Sequence, residues 1–125
     1  MNIVDSSCWI EYLMDTEIGA SVAPIVENAA ELLVPTITLY EVYKKLLAEK
    51  NEAYALEVVS YMQTGTVIEI DAGLSLAAAH ISRNHKLPMA DSIIYSAALR
   101  HSALIFTCDK HFRDIPGIRY FPKNQ

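Results

Sequence analysis

Leu87-Pro88-Met89-Ala90-Asp91-Ser92-Ile93-Ile94-Tyr95-Ser96-Ala97-Ala98 puts a carboxylate where a helix buries its side chains. Pro88 has a fixed φ and no amide donor, which suits the first turn of a helix whose body reads Met89 to about His101. Asp91 falls in that opening turn. Its helical neighbours at i+3, i+4 and i+7 are Ile94, Tyr95 and Ala98, so it shares a largely apolar face. A first-turn acid that only complements the helix dipole gains about 0.3–1 kcal/mol and has no need of an apolar face. The rest of the chain supplies Asp91 with company.

Downstream, Ala103-Leu104-Ile105-Phe106-Thr107 is the most strand-like run and ends at Cys108-Asp109; a last strand is expected near Ile118-Arg119-Tyr120-Phe121, after the Pro116-Gly117 turn. Upstream, Asp71 caps an alanine-rich helix through Ser82, and Arg83-Asn84-His85-Lys86 reads as a basic loop. Before these, Thr66 to Ile70 reads as a strand, and Glu52 to Thr64 as a helix closed by Gly65. Thr38-Leu39-Tyr40-Glu41 matches a capping box opening a helix to about Lys50, which puts Glu41 in a first turn as well. Leu32-Leu33-Val34 is a buried-strand run stopped by Pro35, and a helix over Glu17 to Ala30 is expected to kink or restart near Pro24. The chain opens with strand Asn2-Ile3-Val4, then Asp5, then a helix capped by Ser6 or Ser7.

Strands alternating with helices predict an α/β fold: a central parallel sheet of about four or five short strands with helices on both faces. One domain over residues 1–125 is expected. In such a sheet the carboxyl ends of the strands lie along one edge, and binding sites gather there. Asp5 and Asp109 follow their strands, while Glu41 and Asp91 begin helices rising from the same side, so four distant acids converge.

Composition narrows the setting. The hydrophobic fraction of 52% is scattered in short runs, none near the length of a membrane span, and no signal-peptide layout follows Met1, so a cytoplasmic protein with no membrane partner is expected. Cys8 and Cys108 lack CxxC spacing and read as small buried thiols. Net charge is -5, and residues 1–43 hold seven acids and no Lys or Arg, a poor basis for binding nucleic acid through electrostatics alone. A bound cation reverses that locally.

Two unit charges 4 Å apart repel by about 4 kcal/mol at an effective dielectric of 20. Four acids in one crevice must therefore take up protons or hold a divalent cation. Oxygen donors without an organised His or Cys set favour a hard ion, Mg²⁺ or Mn²⁺, which suits metal-assisted phosphodiester hydrolysis.

At this point the residues resemble a known family. Val4-Asp5-Ser6-Ser7-Cys8-Trp9-Ile10, Tyr40-Glu41-Val42, Leu87 to Ile94, and Thr107-Cys108-Asp109-Lys110-His111-Phe112 are similar, in order, to the four motifs of PIN domains, and in particular of the ribonuclease toxins of VapBC-type toxin-antitoxin pairs. The resemblance covers essentially the whole chain. It implies a Mg²⁺- or Mn²⁺-dependent endoribonuclease with Asp5, Glu41, Asp91 and Asp109 as catalytic and metal-binding acids, Asp5 and Asp91 foremost. It also implies a homodimer held inactive by a small antitoxin. Ser6 and Thr107 are the hydroxyls expected to orient carboxylates. Arg83, His85, Lys86, Lys110, His111 and Arg113 flank the third and fourth motifs and are the candidates for RNA phosphates. Asp114 reads as a turn residue, and the helices around Tyr40, Tyr43, Tyr54 and Tyr61 as surface for a dimer.

Three other readings compete. A catalytically inactive PIN-like interaction domain would share the fold. A receiver-type phospho-accepting module would want adjacent acids after the first strand, which Asp5 lacks, although Asp71 could mimic the phospho-acceptor. A zinc site from Cys8, Cys108 and His111 has no local ligand spacing to support it.

Overall fold

A computed structural model describes residues 1–123. Five strands form one parallel sheet: β1 (Asn2–Val4), β2 (Leu32–Pro35), β3 (Thr66–Ile68), β4 (Leu104–Thr107) and β5 (Ile118–Tyr120). They lie in the order β3-β2-β1-β4-β5, so the first strand made is the central one. Asn2 pairs with both Leu32 and Leu104, and Ile3 with both Leu33 and Ile105.

The strands read as continuous apolar runs because both faces are buried. Alternate residues serve opposite layers. Val4, Leu32, Val34 and Phe106 meet the helices α1 (Ser6–Leu13), α2 (Glu17–Val26), α3 (Thr36–Glu49) and α4 (Glu52–Met62), with Trp9 and Met62 fully buried at the centre. Ile3, Leu33 and Ile105 meet α5 (Ala72–His85) and α6 (Met89–His101), with Leu74, Ile94, Tyr95 and Phe112. Helix α6 starts where the periodicity puts it, and its Ile94, Tyr95 and Ala98 are all buried. Among the described residues no helix is long and apolar enough to cross a membrane.

Several local expectations are corrected. Neither Ser6 nor Ser7 caps α1; Asp5 occupies the N-cap position, with its side chain making no capping bond. Helix α2 runs through Pro24 unbroken, because Pro24 lies on the exposed side, where water reaches the Ala20 carbonyl that the proline leaves without a donor. Close crossing of α1 and α2 depends on Gly19, where a Cβ would stand 2.3 Å from the Glu11 carbonyl oxygen. Beyond α2 the chain makes a short 3-10 turn, Ala29–Glu31, in place of further α-helix.

The capping box at Thr38 does not form. Strand β2 continues into Pro35, which pairs with Ile68, and α3 begins at once with Pro35 as N-cap. Thr38 is consequently inside the helix, fully buried, with its Oγ1 unpartnered. Glu41 is in the second turn, not the first. Helix α4 ends at Met62, and Gly65 does not adopt the left-handed conformation of a C′ glycine. The last strand-like residues Glu69 and Ile70 lie outside β3, and Phe121 outside β5. Arg83, Asn84 and His85 form the last turn of α5 and are not a loop; the helix stops at Lys86, which takes φ 56°.

Candidate metal centre and active site

Asp5 leaves the central strand at its carboxyl end, and its amide N–H donates to the Phe106 carbonyl on β4 at 2.9 Å, which ties the two strand ends together. The side chain is buried, at 3% exposure. Both of its hydroxyl donors fall on the same oxygen: Thr107 Oγ1 donates to Asp5 Oδ2 at 2.8 Å and Ser7 Oγ donates to it at 3.0 Å. These hydroxyls also accept from the fourth motif, since the Asp109 amide donates to Thr107 Oγ1 at 2.9 Å and the Cys108 amide donates to Ser7 Oγ at 3.0 Å. One small web thus positions two acids that are a hundred residues apart.

Glu41 reaches the site from α3, where Ser6 Oγ donates to its Oε1 at 3.1 Å. Asp91 arrives from the first turn of α6 with its side chain 9% exposed, and its Oδ2 is buried without a hydrogen-bond donor. Asp109 is held by its own turn, accepting from the His111 amide at 2.9 Å, and His111 Nδ1 lies 2.7 Å from the same Oδ1. That imidazole nitrogen is also 3.5 Å from Asp91 Oδ2. Asp5, Glu41, Asp91 and Asp109 all line one crevice of about 370 Å³, together with Ser6, Ser7 and Cys108.

The expected convergence of the four acids is therefore present. The candidate phosphate-binding cations are not among the residues lining it: Arg83 and Lys86 lie at the far end of α5, and Lys110 and Arg113 are exposed on or next to the short Lys110–Phe112 turn. The cations that do line the crevice are Lys45, which pairs with Glu49 at 2.7 Å, and Lys123, 4.0 Å from Glu11. Lys45 was legible as the i+4 neighbour of Glu41, whereas Lys123 follows the last strand and carries no local signal. Ser7 as a hydroxyl that orients the Asp5 carboxylate and His111 as a neighbour of two acids were also missed. His85 packs edge-on against the Tyr95 ring. Asp114 is exposed and away from the crevice lining, as a turn residue should be.

Asp71 has no part in the site. It caps α5 by accepting from the Leu74 amide and pairs through both oxygens with Arg100, which hold its carboxyl down to about 2. The two cysteines do not join the acids as metal ligands; their sulfurs face each other at 3.6 Å, and burial pushes both thiols up.

Charge in the crevice is unbalanced. Burial, and then the charge of Asp109, push the Asp91 carboxyl up to about 8. Burial raises Asp5 too, against the pull of the Thr107 and Ser7 hydroxyls, and it raises Glu41, with the Asp5 charge adding to it. The folded protein therefore binds protons here that the unfolded chain has released, and its stability falls as pH rises from about 4 towards 8. Metal-free protein is expected to melt at a lower temperature at pH 8.5 than at pH 5.5, with excess Mn²⁺ removing most of the difference. Calorimetric scans in EDTA and in Mn²⁺ check this: no fall in EDTA would remove the acids as its source, and equal falls in both would show that Mn²⁺ does not bind them.

A cation fits the residues present. Asp91, Asp109 and His111 each offer one ligand atom, all within 4.8 Å of one another, and Asp91 Oδ2 is buried without a donor 3.5 Å from His111 Nδ1. The sequence matches the PIN domain family over residues 3–118. The chain belongs to the PIN family. Solved structures carry the likeness across the whole fold. A toxin-antitoxin complex from Klebsiella pneumoniae aligns with TM-score 0.78 and 22% identity, covering 95% of this chain and 96% of the other. VapC20 of Mycobacterium tuberculosis, a sarcin-ricin-loop-cleaving toxin, aligns with TM-score 0.79 and 15% identity over 98% and 100%. DNA-bound VapBC from Salmonella typhimurium gives 0.72 and 20% over 97% and 98%. No curated protein sequence matches the chain. At these identities the structures establish a shared PIN fold.

Proposed function

We propose that this PIN domain is a Mg²⁺- or Mn²⁺-dependent endoribonuclease and the toxin of a toxin-antitoxin pair, with Asp5, Glu41, Asp91 and Asp109 as its catalytic acids. The observation that carries the reading is Asp91 Oδ2, a buried carboxylate oxygen with no donor, in a crevice lined by three further acids. Buried charge of one sign with a free oxygen is what a divalent ion stabilises. Such an ion supplies the positive charge that offsets the developing charge of phosphodiester cleavage.

The protein's own groups do the positioning. Thr107 and Ser7 fix one oxygen of Asp5, Ser6 orients Glu41, and the His111 amide orients Asp109. Lys45 and Lys123 at the crevice join Arg83, Lys86, Lys110 and Arg113 as the cations proposed to hold flanking phosphates of an RNA strand. The likeness to toxin-antitoxin complexes supports a small antitoxin partner, and a homodimer belongs to the same proposal. A cytoplasmic location accords with RNA as substrate.

Purified protein incubated with total cellular RNA should yield defined fragments in Mn²⁺ and none in EDTA. Folded, antitoxin-free protein that leaves the pool intact in Mn²⁺ would favour the alternative, a PIN domain that acts only by binding a partner.

A further inference from the structure

We propose that His111 contributes Nδ1 as a third ligand, beside Asp91 and Asp109, to the divalent ion, and that this nitrogen makes the site select Mn²⁺ over Mg²⁺. The inference rests on the metal-dependent reading above and adds a nitrogen to what the sequence presents as an oxygen-only ligand set.

Three observations carry it. Nδ1 lies 2.7 Å from Asp109 Oδ1 and 3.5 Å from Asp91 Oδ2. Ligands about 2.1 Å from one ion and at right angles stand about 3 Å apart, so the observed separations bracket those of a shared ion. Asp91 Oδ2 lies 3.5 Å from this nitrogen, long for a hydrogen bond, and accepts no other although its side chain is only 9% exposed, which leaves a buried acceptor open to an ion. Finally, the ring is held from both sides in sequence: the His111 amide donates to Asp109 Oδ1 at 2.9 Å, and Phe112 is fully buried in the core. The backbone of His111 is therefore fixed beside the acids, within reach of both for its imidazole.

The ring is 58% exposed, so the tautomer with its proton on Nε2 keeps that proton in contact with water while Nδ1 presents its lone pair to the ion. An imidazole nitrogen is a better donor to a first-row ion such as Mn²⁺ than to Mg²⁺, which prefers oxygen donors and retained water. A cap or ion pair between His111 and Asp109 would give no such preference.

The test uses metal-stripped full-length protein titrated with MnCl₂ and with MgCl₂ by calorimetry, and pulsed EPR of the Mn²⁺-loaded form. Expected are a ¹⁴N coupling from one imidazole, its loss in His111→Gln, and a fall in Mn²⁺ affinity of roughly tenfold or more in that variant, with Mg²⁺ affinity changed much less. The exposed ring makes this substitution safe for folding. Mn²⁺ that binds, depends on Asp91 and shows no nitrogen coupling would overturn the His111 ligand and leave the proposed nuclease standing. Absence of Mn²⁺ binding to folded protein would overturn both.

Discussion

Asp91→Asn is expected to reduce metal-dependent RNA cleavage by roughly 100- to 1000-fold, while raising the melting temperature of the metal-free protein at pH 8. The first effect follows from losing a charged ligand whose ion supplies several kcal/mol of transition-state stabilisation. The second follows from the cause of the Asp91 shift: burial and the neighbouring Asp109 charge both act against its ionised form, and a neutral amide of nearly the same shape escapes both. The variant should also lose most of the Mn²⁺-induced rise in melting temperature. Paired cleavage assays and thermal scans read all three quantities. A variant that cleaves like the parent would remove Asp91 from the catalytic set, and one that melts lower in EDTA would show that the carboxylate is structural. A stabilised but inactive protein is the mark of a functional site whose local order conflicts with the stability of the fold.

Phe112→Ala should be the most damaging single truncation near the site, costing about 3–5 kcal/mol. Phe112 is fully buried among the side chains of β1, β4 and α6, and it anchors the short turn that bears Asp109 and His111. That loss is a large share of the about 5–15 kcal/mol typical of a domain and corresponds to roughly 10–20 °C in melting temperature. Any remaining folded variant should bind Mn²⁺ more weakly as well, since the turn is no longer pinned. Denaturant unfolding gives the first number and calorimetry the second; a loss below about 1 kcal/mol would mean the ring is not part of the packed core.

The fold was legible where a segment's local pattern and its tertiary setting agree. Helix α6 was readable from Pro88 and from the spacing of Asp91, Ile94, Tyr95 and Ala98, because the face they define is the face that is buried. The short strands were readable as apolar runs because both faces of the sheet are covered. Local chemistry misled where neighbours override it. Thr38 has the spacing of a capping box, but strand pairing at Pro35 starts the helix earlier and turns the threonine inward. Within the site, acids are visible in a sequence because each ends a strand or opens a helix near its start. The supporting contacts are invisible, since Ser7 to Cys108, His111 to Asp91 and Lys123 to the crevice are joined only by folding.

The central place of β1 has a bearing on how the protein is made. Asp5 is made about a hundred residues before the strand and hydroxyl that position it, which belong to Phe106 and Thr107. A nascent chain that has not yet made β4 has β1 open along one side and no Asp109, so the acid cluster cannot assemble before that strand and the turn after it exist. Whatever chemistry the finished site performs, it is withheld from the ribosome until the fourth strand has taken its place beside the first.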